Sequence, residues 1–464
     1  MDARPSTGSR AIQFRAYVLC PDTLAALALV TTADIQELGI LHPVLQNSPR
    51  RHSNWETFLR SAASLEGIDG EPRRLFRHLL NALPNSSKGP HKASHQQKHC
   101  FIHSLLGDRE RPSIKVHIAK HDGNIEEAIR TSLAELGFKL VIRQREPENP
   151  KKYRNVVIVE KDSPLPNLNK PHRRGVYTVT PEEGFYFVQP DESVVFISLD
   201  KNTDVILELV VLRGVALDAH FSGPLYDWLL QVVDKACNVR RDCRPYHLGK
   251  MVQWGMNLGA RHCHILGWAK SYCRKLSDSA METHDKDAIG SMSLFWALSR
   301  AYLPTEVIDP IQEYLDESAL PSMGTRNVAS GAGFTIEVDD VKYEFSTAER
   351  APPEGTATYG YSFPGHTDGS ATNWTLSWIV DEWGNETGGN SYVDLSLKVV
   401  VLPASGTLIA HRPRGYHATT VAKGKGSGTA GFTVAFTERV AKAYAEFVAS
   451  KGVGAVIPFS PAEH

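Results

Sequence analysis

The segments His366-Thr367-Asp368 and RPRGYHATT, the second at residues 412–420, decide how this chain is interpreted. His417, within the second segment, follows His366 by 51 residues. Two imidazoles and one carboxylate occupy one face of an octahedral iron(II) ion and leave three positions open. In extended backbone, residues i and i+2 project to the same side of a sheet, so His366 and Asp368 can share one interior while His417 returns on a later strand. The pattern predicts a metal site formed by His366, Asp368 and His417.

Short β-rich segments separated by glycines fill the last third of the chain. Strands are predicted at 334–338, 342–345, 359–363, 375–380, 395–402, 407–410 and 431–437, with a closing helix at 440–450. Many short strands with turn signals about ten residues apart are typical of a sandwich or barrel. The order along the chain is a strand, the His366/Asp368 pair, further strands, His417 and one last strand.

The first two thirds of the chain have a mixed pattern. Residues 1–90 are predicted to be mostly helical, and a polar, breaker-rich segment follows at 84–92. Further strands are predicted at 114–118, 139–143, 156–159, 185–188, 194–197 and 205–212, and helices at 125–136, 225–237, 292–302 and 307–315. We divide the α+β chain into an N-terminal helical/α+β region at 1–150 of unknown role, an α+β support region at 151–320, and a β core at 321–464.

Composition excludes several classes of protein. The chain has 464 residues, 42% of them hydrophobic, which is enough for a substantial core and two or three domains. With 51 basic and 52 acidic side chains it is nearly neutral, so a nucleic-acid surface would have to be local. The six cysteines are scattered and form no CxxC, which favours a reducing compartment. No apolar segment has the length of a membrane span and no secretory signal precedes the fold, so we expect an intracellular protein without a membrane partner.

Three segments resemble a known family. They are His366-Thr367-Asp368-Gly369 with Asn373-Trp374, then GYHATT at 415–420, and GFTVAFTERV at 431–440. Together they resemble the Tet-like 2-oxoglutarate/Fe(II) dioxygenases of mushroom-forming fungi, which are related to the Tet and J-binding-protein enzymes. The similarity covers residues 320–450, extends back to about 170, and does not include 1–150. No Arg stands between Thr429 and Phe432, where related enzymes often hold the oxo acid.

The resemblance implies a double-stranded β-helix (jelly-roll) core with flanking helices. It also implies Fe(II) bound by His366, Asp368 and His417, with 2-oxoglutarate and O₂ as co-substrates. The expected reaction is hydroxylation of 5-methylcytosine in DNA. Since the substrate would be DNA, the nucleus is the expected location. The alternatives are a dioxygenase of a protein side chain or small metabolite, and a non-catalytic β-barrel interaction module. Residues just past the ligands, Thr372 and Asn373, are predicted to line the substrate pocket.

The distal carboxylate of the oxo acid needs a fixed cation, because a fork of N–H donors meets a carboxylate at two points. Arg439, directly after the last predicted strand, is the first candidate, and Lys425 or Lys423 in the preceding glycine-rich loop is the alternative. His411 competes with His417 as the distal metal ligand. Arg412 and Pro413 follow it at once, however, and the family pattern fits only His417.

Other clusters of histidine, cysteine and arginine carry weaker predictions. His95, His99 and His103 have helical spacing but no matching thiols, so they are interpreted as a helix face. His262-Cys263-His264 is interpreted as structural. The basic segments at 240–244 and 171–174 are candidates for contacts to DNA phosphates.

Overall fold

The computed structural model describes residues 110–450, except 148–149, 164–174, 202–203, 217–221, 259–265, 269–275, 319, 325–331, 339–340, 384–387 and 424–426. It also describes residues 102, 105–106 and 456–457. The predicted helices at 1–90, the His95 to His103 cluster and the His262-Cys263-His264 motif lie outside the described residues.

Helices precede, interrupt and follow the strands. The helices are α1 (Ile114–Lys120), α2 (Ile125–Leu136), α3 (Pro150–Tyr153), α4 (Ser222–Val239), α5 (Asp278–Tyr302), α6 (Thr305–Ser318) and α7 (Glu438–Ala449). The strands before the first motif are β1 (Lys139–Ile142), β2 (Val157–Glu160), β3 (Val176–Val179), β4 (Tyr186–Val188), β5 (Val194–Leu199), β6 (Val205–Leu212), β7 (Leu248–Leu258), β8 (Leu266–Trp268), β9 (Ala332–Val338), β10 (Val341–Glu349) and β11 (Glu354–Ser362). After it come β12 (Thr375–Trp383), β13 (Tyr392–Asp394), β14 (Val399–Val401), β15 (Thr407–His411), β16 (His417–Thr419), β17 (Gly428–Val434) and β18 (Val456–Ile457).

Two sheets dominate the described part of the chain. The large sheet has the order β1-β5-β6-β15-β12-β17-β11-β7-β8-β18, and the small sheet has the order β16-β13-β14-β4. From β11 onward the chain alternates between them, because β11, β12, β15 and β17 belong to the large sheet while β13, β14 and β16 belong to the small one. Strands that follow one another along the chain, such as β12 and β13 or β14 and β15, therefore lie in opposite sheets.

Apolar side chains fill that space and cover both outer faces. The inter-sheet cluster contains Val399 and Val401 from the small sheet and Phe196, Leu209 and Ile409 from the large one. Helices α4, α5 and α6 pack on the other face of the large sheet, where burying each large side chain stabilises the fold by about 1.5–3 kcal/mol. The outer face of the small sheet is covered by a third cluster that includes Ile158, Val393, Tyr416 and Ala418.

Most predicted elements of the β core are present, but one upstream prediction is wrong. Residues 114–118 form helix α1 rather than a strand, because Ser113 caps the helix by accepting the N–H of Val116. The structure also contains strands that were not predicted, among them β7, β13 and β16. Helix α5 begins 14 residues before the predicted start at Met292. Among the described helices, none combines the length and hydrophobicity that crossing a bilayer needs.

Candidate metal centre

His366 and His417 meet in a two-residue antiparallel bridge. The N–H of His366 donates to the carbonyl oxygen of His417 at 3.0 Å, and the N–H of His417 donates to that of His366 at 2.9 Å. The bridge fixes the spacing of the two side chains, whose ring centroids are 4.2 Å apart. The local folding that joins the end of β11 to the start of β16 therefore also pairs the two imidazoles.

Each imidazole is held through its Nδ1 atom. His366 Nδ1 lies 2.9 Å from the carbonyl oxygen of Pro364, and His417 Nδ1 lies 2.9 Å from that of Gly415. A carbonyl oxygen only accepts, so Nδ1–H is the donor in both rings and the lone pair is on Nε2. Metal-binding histidines in proteins are commonly oriented by such a contact. Both rings are therefore fixed in the tautomer that a metal ion requires.

Asp368 completes the cluster. Its N–H donates to the carbonyl oxygen of Pro413 at 2.8 Å, which ties the segment after His366 to the segment before His417. Its carboxylate oxygens lie 3.7 Å from His366 Nε2 and 3.5 Å from His417 Nε2. Partial burial alone would raise the pKa of Asp368, but the hydrogen bonds and charge of His366 and His417 outweigh it and hold the pKa well below its usual value. Asp368 is thus ionised, as a ligand must be.

The two imidazoles have opposite pKa shifts. Burial lowers the pKa of His366, and the neighbouring His417 lowers it further. Burial also lowers the pKa of His417, but the hydrogen bond and charge of Asp368 outweigh it and raise that pKa above its usual value. Burial thus favours the neutral form of His366, whereas the Asp368 carboxylate favours a positive charge next to His417.

The donor atoms fit a single metal ion. Two bonds of about 2.1 Å to one ion bring their donor atoms within about 4.2 Å of each other. The separations of 3.5 and 3.7 Å satisfy this limit, and all three donor atoms lie within 4.8 Å of one another. Half of the Asp368 side chain is exposed, so one side of the cluster is open. Two imidazoles, which bind metals in their neutral form, and one carboxylate form a ligand set with an open face, which suits iron(II).

His411 lies beside the cluster without joining it. Its ring centroid is 4.8 Å from that of His417, and the side chain is buried. Neither ring nitrogen has a hydrogen-bond partner among the described residues. Burial lowers the pKa of His411 well below its usual value, and the neighbouring His417 adds to this effect. The geometry thus favours His417 over His411 as the distal ligand, and leaves His411 as a neutral buried imidazole.

A buried ion network supports the His417 side of the cluster. Asp394 on β13 is paired with His417 in the strand register, and its two oxygens accept from the guanidinium of Arg145 at 2.9 and 3.0 Å. Arg145 also donates to Glu208 at 3.0 Å. A Cβ at Gly415 would come within 2.6 Å of Arg145 Nη1, so a larger residue there would shift the guanidinium away from the backbone that orients His417. The sequence pattern did not reveal Arg145, because its partner Asp394 lies 249 residues away.

Aromatic rings extend from His366 on the opposite side. The Phe363 and His366 ring centroids are 3.6 Å apart, and the Phe363 and His247 centroids are 4.5 Å apart. His247 Nδ1 lies 2.8 Å from the hydroxyl of Tyr361, whose burial raises its pKa. This row joins the segment at 241–247, with its exposed residues Arg241 and Arg244, to the metal cluster.

The other predicted site residues differ in their exposure and in their partners. Arg439 is exposed in the first turn of α7, Lys423 lies 3.4 Å from the Glu160 carboxylate, and Lys425 lies outside the described residues. Thr372 is buried and donates to the carbonyl oxygen of Trp374 at 2.7 Å, whereas Asn373 is exposed.

Arg240 is not exposed at the surface where a phosphate would bind. It is buried and donates to His284 at 2.9 Å, with Asp285 at 3.2 Å, so interpreting this side chain as a phosphate ligand was wrong. Of the second predicted basic segment, residues 171–174, the structure gives no description.

Comparisons with known proteins give distant structural similarity alone. No protein-family model matches the chain, and no curated protein sequence matches it. Among solved structures, it is similar to NgTET1 in complex with 5mC DNA, with a TM-score of 0.34 and 9% identity over 67% of this chain and 89% of that one. It is also similar to an oxidoreductase of the 2OG-Fe(II) oxygenase family from Burkholderia pseudomallei, with a TM-score of 0.26 and 13% identity over 50% of this chain and 84% of that one.

Proposed function

We propose that this protein is an iron(II)- and 2-oxoglutarate-dependent dioxygenase that hydroxylates 5-methylcytosine in DNA. The observation that carries the proposal is the convergence of His366, Asp368 and His417, with both Nε2 atoms free for a metal and one side open. The alternation of β11 to β17 between two sheets supports a double-stranded β-helix core around this cluster. When bound, the iron supplies the oxidising chemistry, which couples decarboxylation of 2-oxoglutarate by O₂ to hydroxylation of a C–H bond.

The residues of this chain fix the geometry in which that chemistry takes place. The bridge between His366 and His417 sets the positions of two ligands, and Arg145 with Asp394 supports the backbone beneath one of them. The inter-sheet cluster excludes water from the closed side, which leaves the exposed side of Asp368 for substrate.

Two side chains on facing sheets, whose polar atoms are buried, are the donors we assign to the distal carboxylate of 2-oxoglutarate. Tyr392 lies two residues before Asp394 on β13, so it projects to the same face as His417, the partner of Asp394. His411 lies two residues after Ile409, an inter-sheet residue of β15, so it faces Tyr392 from the large sheet. Their ring centroids are 4.9 Å apart.

The Tyr392 hydroxyl, like the ring nitrogens of His411, has no hydrogen-bond partner among the described residues. Each buried polar atom left unpaired costs about 1–3 kcal/mol, so a polar ligand that reaches the Tyr392 hydroxyl and a His411 ring nitrogen would stabilise the fold as it binds. Arg439 is exposed on α7, and we therefore prefer Tyr392 and His411 to Arg439 and Lys425 for this role.

The choice of substrate rests on the resemblance of residues 366–440 to the Tet-like enzymes. A base inside a duplex must leave the stack to reach the iron, and the rotated base is commonly held against aromatic side chains. Phe363 is half-buried beside His366 and can serve as such a surface. Arg241 and Arg244, exposed on the segment joined to Phe363 through His247, can hold the nearby phosphates.

Product analysis tests the proposal. Purified protein with iron(II), 2-oxoglutarate and O₂ is incubated with methylated duplex DNA, and the digested DNA is examined by mass spectrometry. We expect 5-hydroxymethylcytosine together with succinate. If succinate forms only with a peptide or metabolite extract, the protein is a dioxygenase whose substrate is not DNA. Iron binding without succinate from any substrate would instead favour a non-catalytic module.

A further inference from the structure

A second group of two imidazoles and one carboxylate lies on the helical hairpin formed by α1 and α2. His117 and His121 are four residues apart, in α1 and at its C-cap, so they share one face of the helix. Glu135 reaches them from the last turn of α2. The donor atoms of the three side chains all lie within 4.8 Å of one another.

His117 is the member whose surroundings point to a ligand. The side chain is 2% exposed, and its Nε2 lies 2.8 Å from the carbonyl oxygen of Ala128, which can only accept. The donor is therefore Nε2–H, and the Nδ1 lone pair points towards Glu135 Oε2 at 3.3 Å. Nδ1 makes no hydrogen bond within the described part of the chain. A buried lone pair facing a carboxylate is unfavourable until a cation lies between them.

His121 supplies the other imidazole. Its Nε2 lies 3.4 Å from Glu135 Oε1 and 2.9 Å from the hydroxyl of Thr131. The Thr131 hydroxyl also lies 3.1 Å from the carbonyl oxygen of Glu127. When a cation binds His121 Nε2, the Thr131 hydroxyl can donate to the Glu127 carbonyl oxygen instead. Metal binding therefore leaves the Thr131 hydroxyl paired.

We propose that His117, His121 and Glu135 form a second metal site, which binds Zn²⁺. The separations of 3.3 and 3.4 Å are within reach of two bonds of about 2.0–2.2 Å. Zinc takes two histidines and a glutamate and keeps water as the fourth ligand. A cavity of about 930 Å³, lined by His117, Glu135, Lys120 and Arg213 among others, provides space for that water. Imidazole sites bind zinc more tightly than iron(II), which favours zinc where no redox chemistry is needed.

The ion would join α1 to α2 at the point where the hairpin meets the large sheet. Ser132, one turn before Glu135, accepts the N–H of Leu140 on β1 at 2.9 Å. Zinc at this site would therefore stabilise the contact between the hairpin and the edge of the sheet.

Zinc binding to the full chain tests the site separately from the iron centre. In a His366→Ala/His417→Ala background, which removes two iron ligands, we expect calorimetric titration with ZnCl₂ to show one ion per chain. Adding Glu135→Gln should weaken that binding by about 100-fold or more, since even the loss of a residue that only orients a metal ligand costs about 10- to 100-fold. The matched control is Glu127→Gln on the same helix, where the carboxylate pairs with Arg130 on the surface.

Thermal unfolding gives a second readout. Zinc should raise the Tm of the background protein and of the Glu127→Gln control, and should leave the Glu135→Gln variant unchanged. His121→Asn, a change at a half-buried position, should reproduce the loss. A background protein that binds no zinc saturably overturns the proposal, and so does equal zinc affinity in the Glu135→Gln and Glu127→Gln variants.

Discussion

His366 and His417 exchange two backbone hydrogen bonds, so the two imidazoles of the candidate iron site are attached to one β-bridge. Each imidazole is then oriented by a carbonyl oxygen two residues before it in the chain. The spacing of these ligands is thus set by local backbone structure, and substitution of one side chain should leave the bridge itself in place.

Replacing His366, Asp368 or His417 by Ala should abolish conversion of 2-oxoglutarate to succinate, because all three side chains would share one ion. Circular dichroism should show an unchanged fold, since the bridge is made by backbone atoms. Thr367→Ala, between two ligands and exposed, is the matched control and should keep its activity. Activity in the His417→Ala variant would mean that His411, not His417, is the distal metal ligand.

Tyr392→Phe should weaken 2-oxoglutarate binding, because the variant loses one hydrogen bond to the distal carboxylate. A hydrogen bond to a charged group contributes about 1.5–3 kcal/mol, or roughly 10- to 150-fold in affinity. The measurement is anaerobic titration of the iron-loaded protein, followed by its visible charge-transfer absorption.

The specificity of this effect can be checked within the same titration. Pyruvate, which has no distal carboxylate, should bind wild type and Tyr392→Phe equally. Tyr186, on β4 of the same small sheet, donates its hydroxyl to Glu192. The Tyr186→Phe variant removes that hydroxyl and should bind 2-oxoglutarate like wild type. If Arg439→Ala selectively weakens 2-oxoglutarate and Tyr392→Phe does not, the carboxylate is held at α7 instead.

Arg241→Glu with Arg244→Glu should weaken binding to methylated duplex DNA and reduce its salt dependence. Each lost phosphate contact lowers the slope of log affinity against log salt by about 0.9. Lys342→Glu, exposed on β10, is the control and should leave the slope unchanged. Equal slopes in wild type and in the Arg241→Glu/Arg244→Glu variant would show that the 241–244 segment does not contact DNA.

Stability should fall as the pH rises from about 5 to 9, because of Glu354. This buried carboxylate accepts the N–H and hydroxyl of Thr437, and burial raises its pKa from 4.5 to about 8 despite those bonds. The folded state binds the proton more tightly than the unfolded state, so this contribution is complete below about pH 4.5 and is lost as the pH passes 8.

Urea unfolding of wild type and Glu354→Gln across this range measures the effect. One unit of pKa corresponds to about 1.4 kcal/mol, so the free energy of unfolding of wild type should fall by several kcal/mol more than that of the variant. Parallel curves for the two proteins would mean that Glu354 does not titrate in this range.

Arg145→Met should destabilise the protein by roughly 3–5 kcal/mol, because it leaves Asp394 and Glu208 buried without their cation. The iron affinity should fall with it, since Arg145 packs against Gly415, whose carbonyl orients His417. Arg130→Met removes a surface ion pair and should leave both quantities unchanged. A variant with native stability would show that the network is dispensable.

The sequence predicted elements and ligands whose signals are local. Strand β6 and helix α2 have the predicted bounds, since each has a clear period and recognisable ends. Strand β7 was missed although Val252, Trp254 and Met256 alternate as a half-buried strand should. Its glycines obscured the pattern, yet a Cβ at Gly255 would lie 1.9 Å from the carbonyl oxygen of Pro353, so close strand contact requires that glycine.

Residues that act through distant partners were not predictable in this way. Nothing near Arg145 in sequence indicates Asp394, and nothing near Arg240 indicates that His284 will bury it. The pairing of Tyr392 with His411 depends on two sheets coming together, which no single segment encodes.

The position of β17 sets the order in which the protein can be completed during synthesis. This strand is almost the last in the chain, yet it lies in the middle of the large sheet, between β12 and β11. Until residues 428–434 leave the ribosome, those two strands have unpaired edges and cannot adopt their final spacing. A nascent chain therefore carries all three metal ligands before it has a complete sheet to support them, and chaperones would have to protect the open edges during that interval.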